Sequence, residues 1–440
     1  MNVNQFTIEE VRCFADRQQF NIRPLTFLVG ENSTGKTTAL ACFQVLADFI
    51  DKGVVDFNSQ PYSLGVFDDI VRRSKKPEKE FVLGFTFEGE RDSVEFVAEF
   101  IEKAEGLEPD ISTVTIKFHN GVIVFENRDT SNGTTEGKSI EGEQETIRIK
   151  TKSSLFNVFP PFSFLGALAS GRNDPQISEE MSLLEFLGSM NDENKGLFEL
   201  GVSGNSSAFS ASPVRSRPKR TYDPTREFVD PEGSDVPLLL MRLAATSKAE
   251  WENLRQQLID FGRASGLFER IEVRKLGPAA GAPFQLELKV RGPNSNIVDV
   301  GYGVSQVLPL LVRAMVSPLS LVGNEGHTAT TYFLMQQPEV HLHPKAQAEL
   351  SSLLVRLASQ RVKSFIVETH SDYMVDRARI EIRRGNITAE DVSLIYLEPK
   401  KNVVKVHNIS FDNMGNMIGA PPHFREFFLL ESDRLMGFEE

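Results

Sequence analysis

With 440 residues the chain exceeds what one hydrophobic core usually serves, which predicts two domains or one large domain carrying an insertion. Charged residues make up 25% and apolar residues 40%, as in an ordinary globular protein, and the formal net charge of −13 excludes a chain that coats nucleic acid or an acidic membrane over its whole surface. Cys13 and Cys42 are the only cysteines, no apolar run approaches a membrane span, and the N-terminus lacks a basic region followed by an apolar stretch, so a cytoplasmic protein without disulfides or membrane attachment is expected.

In chain order, residues 6–12 and 18–22 read as a short hairpin that feeds an apolar strand at 25–29. Directly after that strand, residues 30–38 read G-E-N-S-T-G-K-T-T, and a helical run to about residue 50 follows. Strand, glycine-bounded loop and helix in this order form a complete phosphate-binding loop. Gly30 and Gly35 let the backbone N–H groups of Glu31, Asn32, Ser33 and Thr34 wrap an anion, Lys36 reaches its outer phosphates, and Thr37 offers a hydroxyl to Mg²⁺. Thr38 completes the motif as the helix begins.

Alternating segments at 80–87, 94–100, 114–118 and 121–125 predict an antiparallel sheet, with a hairpin turn at His119-Asn120-Gly121. Polar, Gly- and Thr-rich residues 127–142 and the Ser/Gly/Ala-rich stretch 201–212 read as exposed loops. Helices are expected at 178–191 and 238–262, then a strand pair at 269–276 and 284–291. Two basic clusters, Arg72-Arg73-Ser74-Lys75-Lys76 and Arg215, Arg217, Lys219, Arg220 and Arg226, are either solvated faces or a phosphate-backbone track for DNA. Base stacking has little support, since Tyr222 alone accompanies them.

The last third returns to chemistry. A turn containing Gly301, Gly303 and Ser305 runs into an apolar helix. A strand at 330–335 ends at Gln336-Gln337-Pro338-Glu339-Val340-His341-Leu342-His343-Pro344, and a strand at 364–367 ends at Glu368-Thr369-His370-Ser371-Asp372. Polar residues at the carboxyl ends of strands in an open α/β sheet face the ligand crevice. His341 and His343 could be metal ligands, but turn and interface packing fit their neighbourhood better.

These motifs resemble, in order and over nearly the whole chain, the ABC-type ATPase heads of the group that includes the RecF, Structural Maintenance of Chromosomes and overcoming-lysogenization-defect proteins. The likeness is greatest to short bacterial AAA family ATPases with a P-E-x-H-L-H-P motif. It implies an α/β fold, a P-loop ATPase head of mixed β-sheet and helices carrying an inserted α+β lid. The head would be split into 1–100 and 266–440 around a lid at 101–265. It also implies ATP and Mg²⁺ as cofactors, with residues 30–38 as the Walker A loop and 301–306, including Gly301, Gly303 and Ser305, as the counterpart of the signature. Gln336 and Gln337 would stand in the Walker B acidic pair and His370 would be the switch histidine. Two heads would sandwich ATP, making a homodimer or a higher even assembly.

Two departures matter. Gly301 replaces the signature serine, which leaves backbone N–H groups, with Ser305 a turn away, for contact in trans. Gln336 stands where the family has a carboxylate, and an amide can accept from metal-bound water but cannot offset charge or take a proton. Hydrolysis is then weak, or Glu339 or Glu368 does the acid's work, or the residue was substituted to trap ATP. Gln60, after the first helix, is a candidate for contact with Mg²⁺ and attacking water, and Arg12, Phe14 and Phe20 are weak candidates for the base. The resemblance implies an ATPase switch that signals to DNA or to an effector such as a nuclease or toxin, as in bacterial antiphage systems. The rivals are a scaffold held in the ATP-bound state and a nuclease component of DNA repair.

Overall fold

The computed structural model describes residues 2–73, 80–88, 93–103, 108–119, 121–127, 135–141, 144–151, 208–224, 230–279, 281–316, 331–426 and the single positions 430, 434 and 436. Strands β1 (Asn2–Glu9), β2 (Gln18–Asn21) and β3 (Leu25–Gly30) lead into helix α1 (Lys36–Lys52), and a short helix α2 (Phe67–Ile70) follows. The meander β4 (Glu80–Glu88), β5 (Ser93–Glu102), β6 (Pro109–Phe118) and β7 (Gly121–Asn127) comes next, then β8 (Thr135–Glu141) and β9 (Gln144–Thr151). After β10 (Ala208–Ala211) come helices α3 (Val236–Thr246) and α4 (Lys248–Ser265) and strands β11 (Arg270–Lys275), β12 (Phe284–Lys289) and β13 (Ser295–Asn296). The C-terminal part runs α5 (Tyr302–Met315), β14 (Thr331–Gln336), α6 (Pro344–Ala358), β15 (Lys363–Glu368), α7 (Asp372–Arg383), β16 (Val392–Lys400), β17 (Val403–Phe411) and β18 (Met417–Ile418).

Among the described residues the strands form three sheets, giving a mixed α/β fold. The central sheet has the order β10-β14-β15-β3-β16-β17-β18, parallel from β10 to β16 and antiparallel at its far edge. Side chains alternate across it, as the period of two in a strand requires. Leu28, Tyr332, Leu334, Ile366, Ile395 and Leu397 join one core with α1 and the inner face of the meander. Leu25, Phe27, Phe333, Met335, Phe365, Val367 and Leu394 join the other, with α3 to α7 and β11–β12. Helix α1 is thus sandwiched between two sheets, which explains why it is apolar nearly all round, and it ends where Gly53 takes φ 69 and closes the helix on the Phe49 carbonyl.

The expected hairpin, meander and strand pair appear, most bounds within about two residues, but β1 runs Asn2–Glu9 where 6–12 was expected, and β6 starts at Pro109 rather than 114. Other features differ. Part of the stretch read as a loop at 127–142 is strand β8, antiparallel to β9, which itself pairs parallel with β7. Residues 208–211 of the second expected loop form β10, because the edge of β14 offers unpaired backbone groups and the Phe209 ring packs on Phe333 at 5.2 Å. The helix expected at 238–262 is two helices, broken at Ser247, whose φ is −136. The helix expected at 178–191 lies outside the described residues. The meander crosses the boundary expected at residue 100 without interruption, and α4, ending at the boundary expected at 265, packs in one core with α6 and β15.

Candidate functional site

The loop between β3 and α1 is wound by three residues of positive φ, Gly30 at 150°, Ser33 at 64° and Gly35 at 87°. At Gly35 a Cβ would lie 2.5 Å from Cys13 Sγ and 2.9 Å from the Phe14 ring, so the turn needs glycine for space as well as for angle. Glu31, Asn32 and Ser33 are exposed, whereas Thr34 is buried and its hydroxyl donates to the Glu31 carbonyl at 2.9 Å. The Lys36 ammonium donates to the carbonyls of Gly30 (2.9 Å) and Glu31 (2.6 Å), and its side chain is buried. Burial pulls the pKa of Lys36 down, and the charges of Glu368 and Glu31 oppose that pull.

Beside this loop the strand order brings two strand ends together. Strand β15 lies between β14 and β3, with Gln336 level with Glu368 and Glu368 level with Leu28. Alternation from Ile366 and Leu334 turns both Glu368 and Gln336 toward the α1 side. There the Thr37 hydroxyl donates to Glu368 Oε2 at 2.9 Å, with Oε1 at 3.2 Å. Gln337 turns away with φ 42, and its N–H donates to the Glu368 carbonyl at 2.8 Å. Glu339 Oε1 accepts the His370 N–H at 2.8 Å, which ties the turn after β14 to the turn after β15.

Glu368 and Glu339 are both buried. Burial raises the pKa of Glu368, Thr37 and Lys36 lower it, and the charge of Glu339 raises it again. Burial likewise raises that of Glu339, against the His370 N–H, its own N–H, the Thr369 hydroxyl and the charge of Arg215. His370 is exposed, and its pKa is lowered by burial of part of the ring and by the Lys36 charge. Burial thus works against both carboxylates, opposed at Glu368 by the Thr37 hydroxyl and Lys36 and at Glu339 chiefly by hydrogen bonds.

Gly301 caps the start of α5, and Gly303 lies so close to the turn after β14 that a Cβ there would be 2.4 Å from the His341 carbonyl oxygen. The Tyr302 and His341 rings meet edge to face at 4.7 Å, both exposed. Ser305, weighed as a contact in trans, is buried, and its hydroxyl donates to the Tyr302 carbonyl at 2.8 Å, so it braces the turn. His343 caps α6 by accepting the Ala346 N–H at 3.4 Å, and among the described residues no group of three or more His, Cys, Asp or Glu is arranged to hold a metal.

Other candidate residues sit in varied surroundings. Phe14 and Phe20 are core residues and cannot face a base, and Arg12 donates to the Thr38 hydroxyl and to the carbonyls of Asp69 and Leu64. Gln60 is exposed, while Tyr62, two residues on, is buried with its hydroxyl facing Ser210 and Gln336. Arg215 is 3% exposed and cannot belong to a surface track, Arg220 pairs with Asp299 at 2.5 Å, and Arg73 with Asp69 at 2.8 Å. Lys75, Lys76 and Arg226 lie outside the described residues. Neither Tyr62 nor the buried Arg215 carried a sequence signal, the latter being masked by the cations that follow it.

A phosphate-bearing ligand with a divalent cation fits this donor set. The loop's N–H groups and Lys36 suit the phosphates, and Thr37 with Glu368 suits the cation. Among the described residues no helix is long and apolar enough to cross a membrane.

The chain is similar in structure to the Smc head bound to the C-winged helix domain of ScpA, at 12% identity and TM-score 0.47, over 94% of this chain and 98% of that one. It is also similar to the Smc head domain with an extended coiled coil bound to the C-terminal domain of ScpA from Pyrococcus furiosus, at 11% identity and TM-score 0.44, covering 98% and 99%. A third is the SMC head domain from Thermotoga maritima, at 9% identity and TM-score 0.40, covering 92% and 98%. No curated protein matches the chain. Residues 241–375 match the AAA ATPase domain family, a stretch that takes in the α5 turn, the Gln336–Pro344 turn, Glu368 and His370.

Proposed function

We propose that this chain binds and hydrolyses ATP as an ABC/SMC-like switch, with Glu368 in the role of metal-side acid that Gln336 cannot fill. The observation that carries this reading is the bond from the Thr37 hydroxyl to the buried Glu368 carboxylate, at 2.9 Å. Bound Mg²⁺ supplies charge neutralisation and orientation of the phosphates. The chain's own residues do the rest: the loop N–H groups and Lys36 bind, Thr37 and Glu368 orient, and Glu339 fixes the His370 backbone at the mouth. Gln336, with Tyr62 against it, accepts or donates hydrogen bonds but moves no proton.

Dimerisation around ATP is favoured by the exposed pair Tyr302 and His341, next to exposed Val298, on the turn that the resemblance equates with the signature. The output proposed is a conformational signal to an effector such as a nuclease or toxin, in antiphage defence in a bacterial cytoplasm. DNA is the alternative target, through exposed Arg217 and Lys219. The second reading, an ATP-bound scaffold with little turnover, is favoured by the two adjacent amides, Gln336 and Gln337.

Steady-state ATP turnover of the protein, Gln336→Glu and Glu368→Gln, with Lys36→Ala as blank, tests this. Glu368→Gln is expected to lose about 100-fold or more, with Gln336→Glu close to the parent. Turnover retained in Glu368→Gln would remove the assignment. A large gain in Gln336→Glu alone would favour the scaffold.

A further inference from the structure

We propose that Arg215 is a positioning residue that locks the turn after β14 to the turn after β15, and so links the segment following β10 to the nucleotide site. The link to nucleotide chemistry rests on the ATPase reading above, whereas the lock itself does not.

Strand β10 runs parallel to β14, with Ala211 level with Met335, so the chain leaving β10 passes the end of β14. Four residues later Arg215 Nη2 reaches the carbonyls of Gln336 (3.4 Å) and Gln337 (3.5 Å). A guanidinium is costly to bury, and a segment that needed only solubility would leave it in water. Here it faces the charge of Glu339 and the Tyr302 phenol at the start of α5. Its Nε and Nη1 are buried without a hydrogen-bond acceptor, Gln336 Nε2 likewise, and Glu339 Oε2 is buried without a donor. Arg215, Glu339 and Gln336 therefore keep buried donor and acceptor capacity to spare. A planar fork holds its donors in one fixed geometry, whereas an ammonium carries its three on a flexible stem.

The strap that follows is fastened at both ends. The Ser216 N–H donates to the Glu232 carbonyl at 3.1 Å, Arg220 pairs with Asp299, and Tyr222 exchanges backbone hydrogen bonds with Phe284. A displacement of this strap therefore reaches Arg215 directly. From Arg215 it reaches Glu339, and through Glu339 the backbone of His370.

Hydrogen exchange of the nucleotide-free full chain reads the lock without requiring turnover. In Arg215→Met the amides of Gln337, Leu342 and His370, bonded to Glu368 O, Glu339 O and Glu339 Oε1, are expected to exchange about tenfold faster or more. Those of α4 and β12 should be unchanged. ATP binding should stay within about twofold while turnover falls about 10- to 100-fold, and Arg215→Lys, which keeps the charge and loses the fork, should recover part of both effects. Unchanged exchange at the three amides overturns the lock, and so does faster exchange spread evenly through α4 and β12. If the parent protein shows no turnover above Lys36→Ala but exchange shifts at these amides, the ATPase reading falls and the lock stands.

Discussion

Gly303 and Gly301 sit two residues apart in the same turn and carry different constraints. A Cβ at Gly303 would meet a backbone oxygen, that of His341 at 2.4 Å, which no rotamer change relieves, whereas a Cβ at Gly301 would meet nothing within 4 Å. His341 is itself held at φ 67, so the turn after β14 has little freedom to retreat. Gly303→Ala is therefore expected to cost about 1–3 kcal/mol, and Gly301→Ala to stay within about 0.5 kcal/mol, read from urea midpoints. Equal midpoints would mean that the α5 turn is not pressed against His341. In the sequence both residues read only as glycines of a signature-like turn. The spacing shows that a turn is there, but not what the backbone lies against, because the close approach involves residues some forty positions apart.

At the level of elements, α5 is held at its far end by a buried lysine. Lys363, the first residue of β15, donates to the carbonyls of Arg313 (3.1 Å), Ala314 (2.8 Å) and Val316, which would otherwise be unsatisfied at the helix end. Burial brings its pKa down to about 8, assisted by the charge of Arg313, which itself pairs with Asp235 and lies over the Phe209 ring. The signature-like helix is thus fastened to the strand whose other end carries Glu368. Lys363→Met removes the donor from three carbonyls and is expected to destabilise the fold by about 2–3 kcal/mol, read from the denaturation midpoint. A change below about 0.5 kcal/mol would show that water takes over the cap. The strand at this position was legible from its apolar run, but the lysine reads as an ordinary polar boundary residue, since its acceptors come from another helix.

Across the whole molecule, the C-terminal segment joins the sheet edge to the helix that follows His370. Glu398 on β16 meets Lys400 (2.6 Å), His407 on β17 (2.8 Å) and His423 (2.6 Å), while Arg425 reaches Asp372 and Asp376 on α7. Arg379 and Arg383 of α7 donate to the carbonyls of Gly415 and Met414. Burial pushes the Glu398 carboxyl up, but Lys400, His407 and His423 outweigh it and hold the pKa at about 2, below the ordinary value of 4.5. A depressed carboxylate pKa contributes stability that is complete above the unfolded value and disappears as pH falls through the folded one. The melting temperature of the parent protein should therefore exceed that of Glu398→Gln by a few degrees near neutrality, and the gap should close between pH 4.5 and about 2. A gap independent of pH over that window would show that the cluster acts by shape rather than charge.

The glycine-bounded loop after β3 was legible in sequence alone because its pattern is local: nine consecutive residues between an apolar strand and an apolar helix supply the turn, the cation and the hydroxyl. The strand ends at Gln336 and Glu368 were equally readable, since an apolar run stops where polar residues begin. Which acid meets Thr37 was decided only by tertiary structure, because it depends on β15 lying between β14 and β3 and on the register that sets Glu368 beside Leu28. The same holds for β10, whose four residues lie in a Ser/Gly/Ala-rich stretch and become a strand only where the edge of β14 pairs with them, and for Arg215, a surface cation by composition and a buried one by topology. Local pattern fixes what a residue can do, and long-range backbone pairing fixes what it does it to.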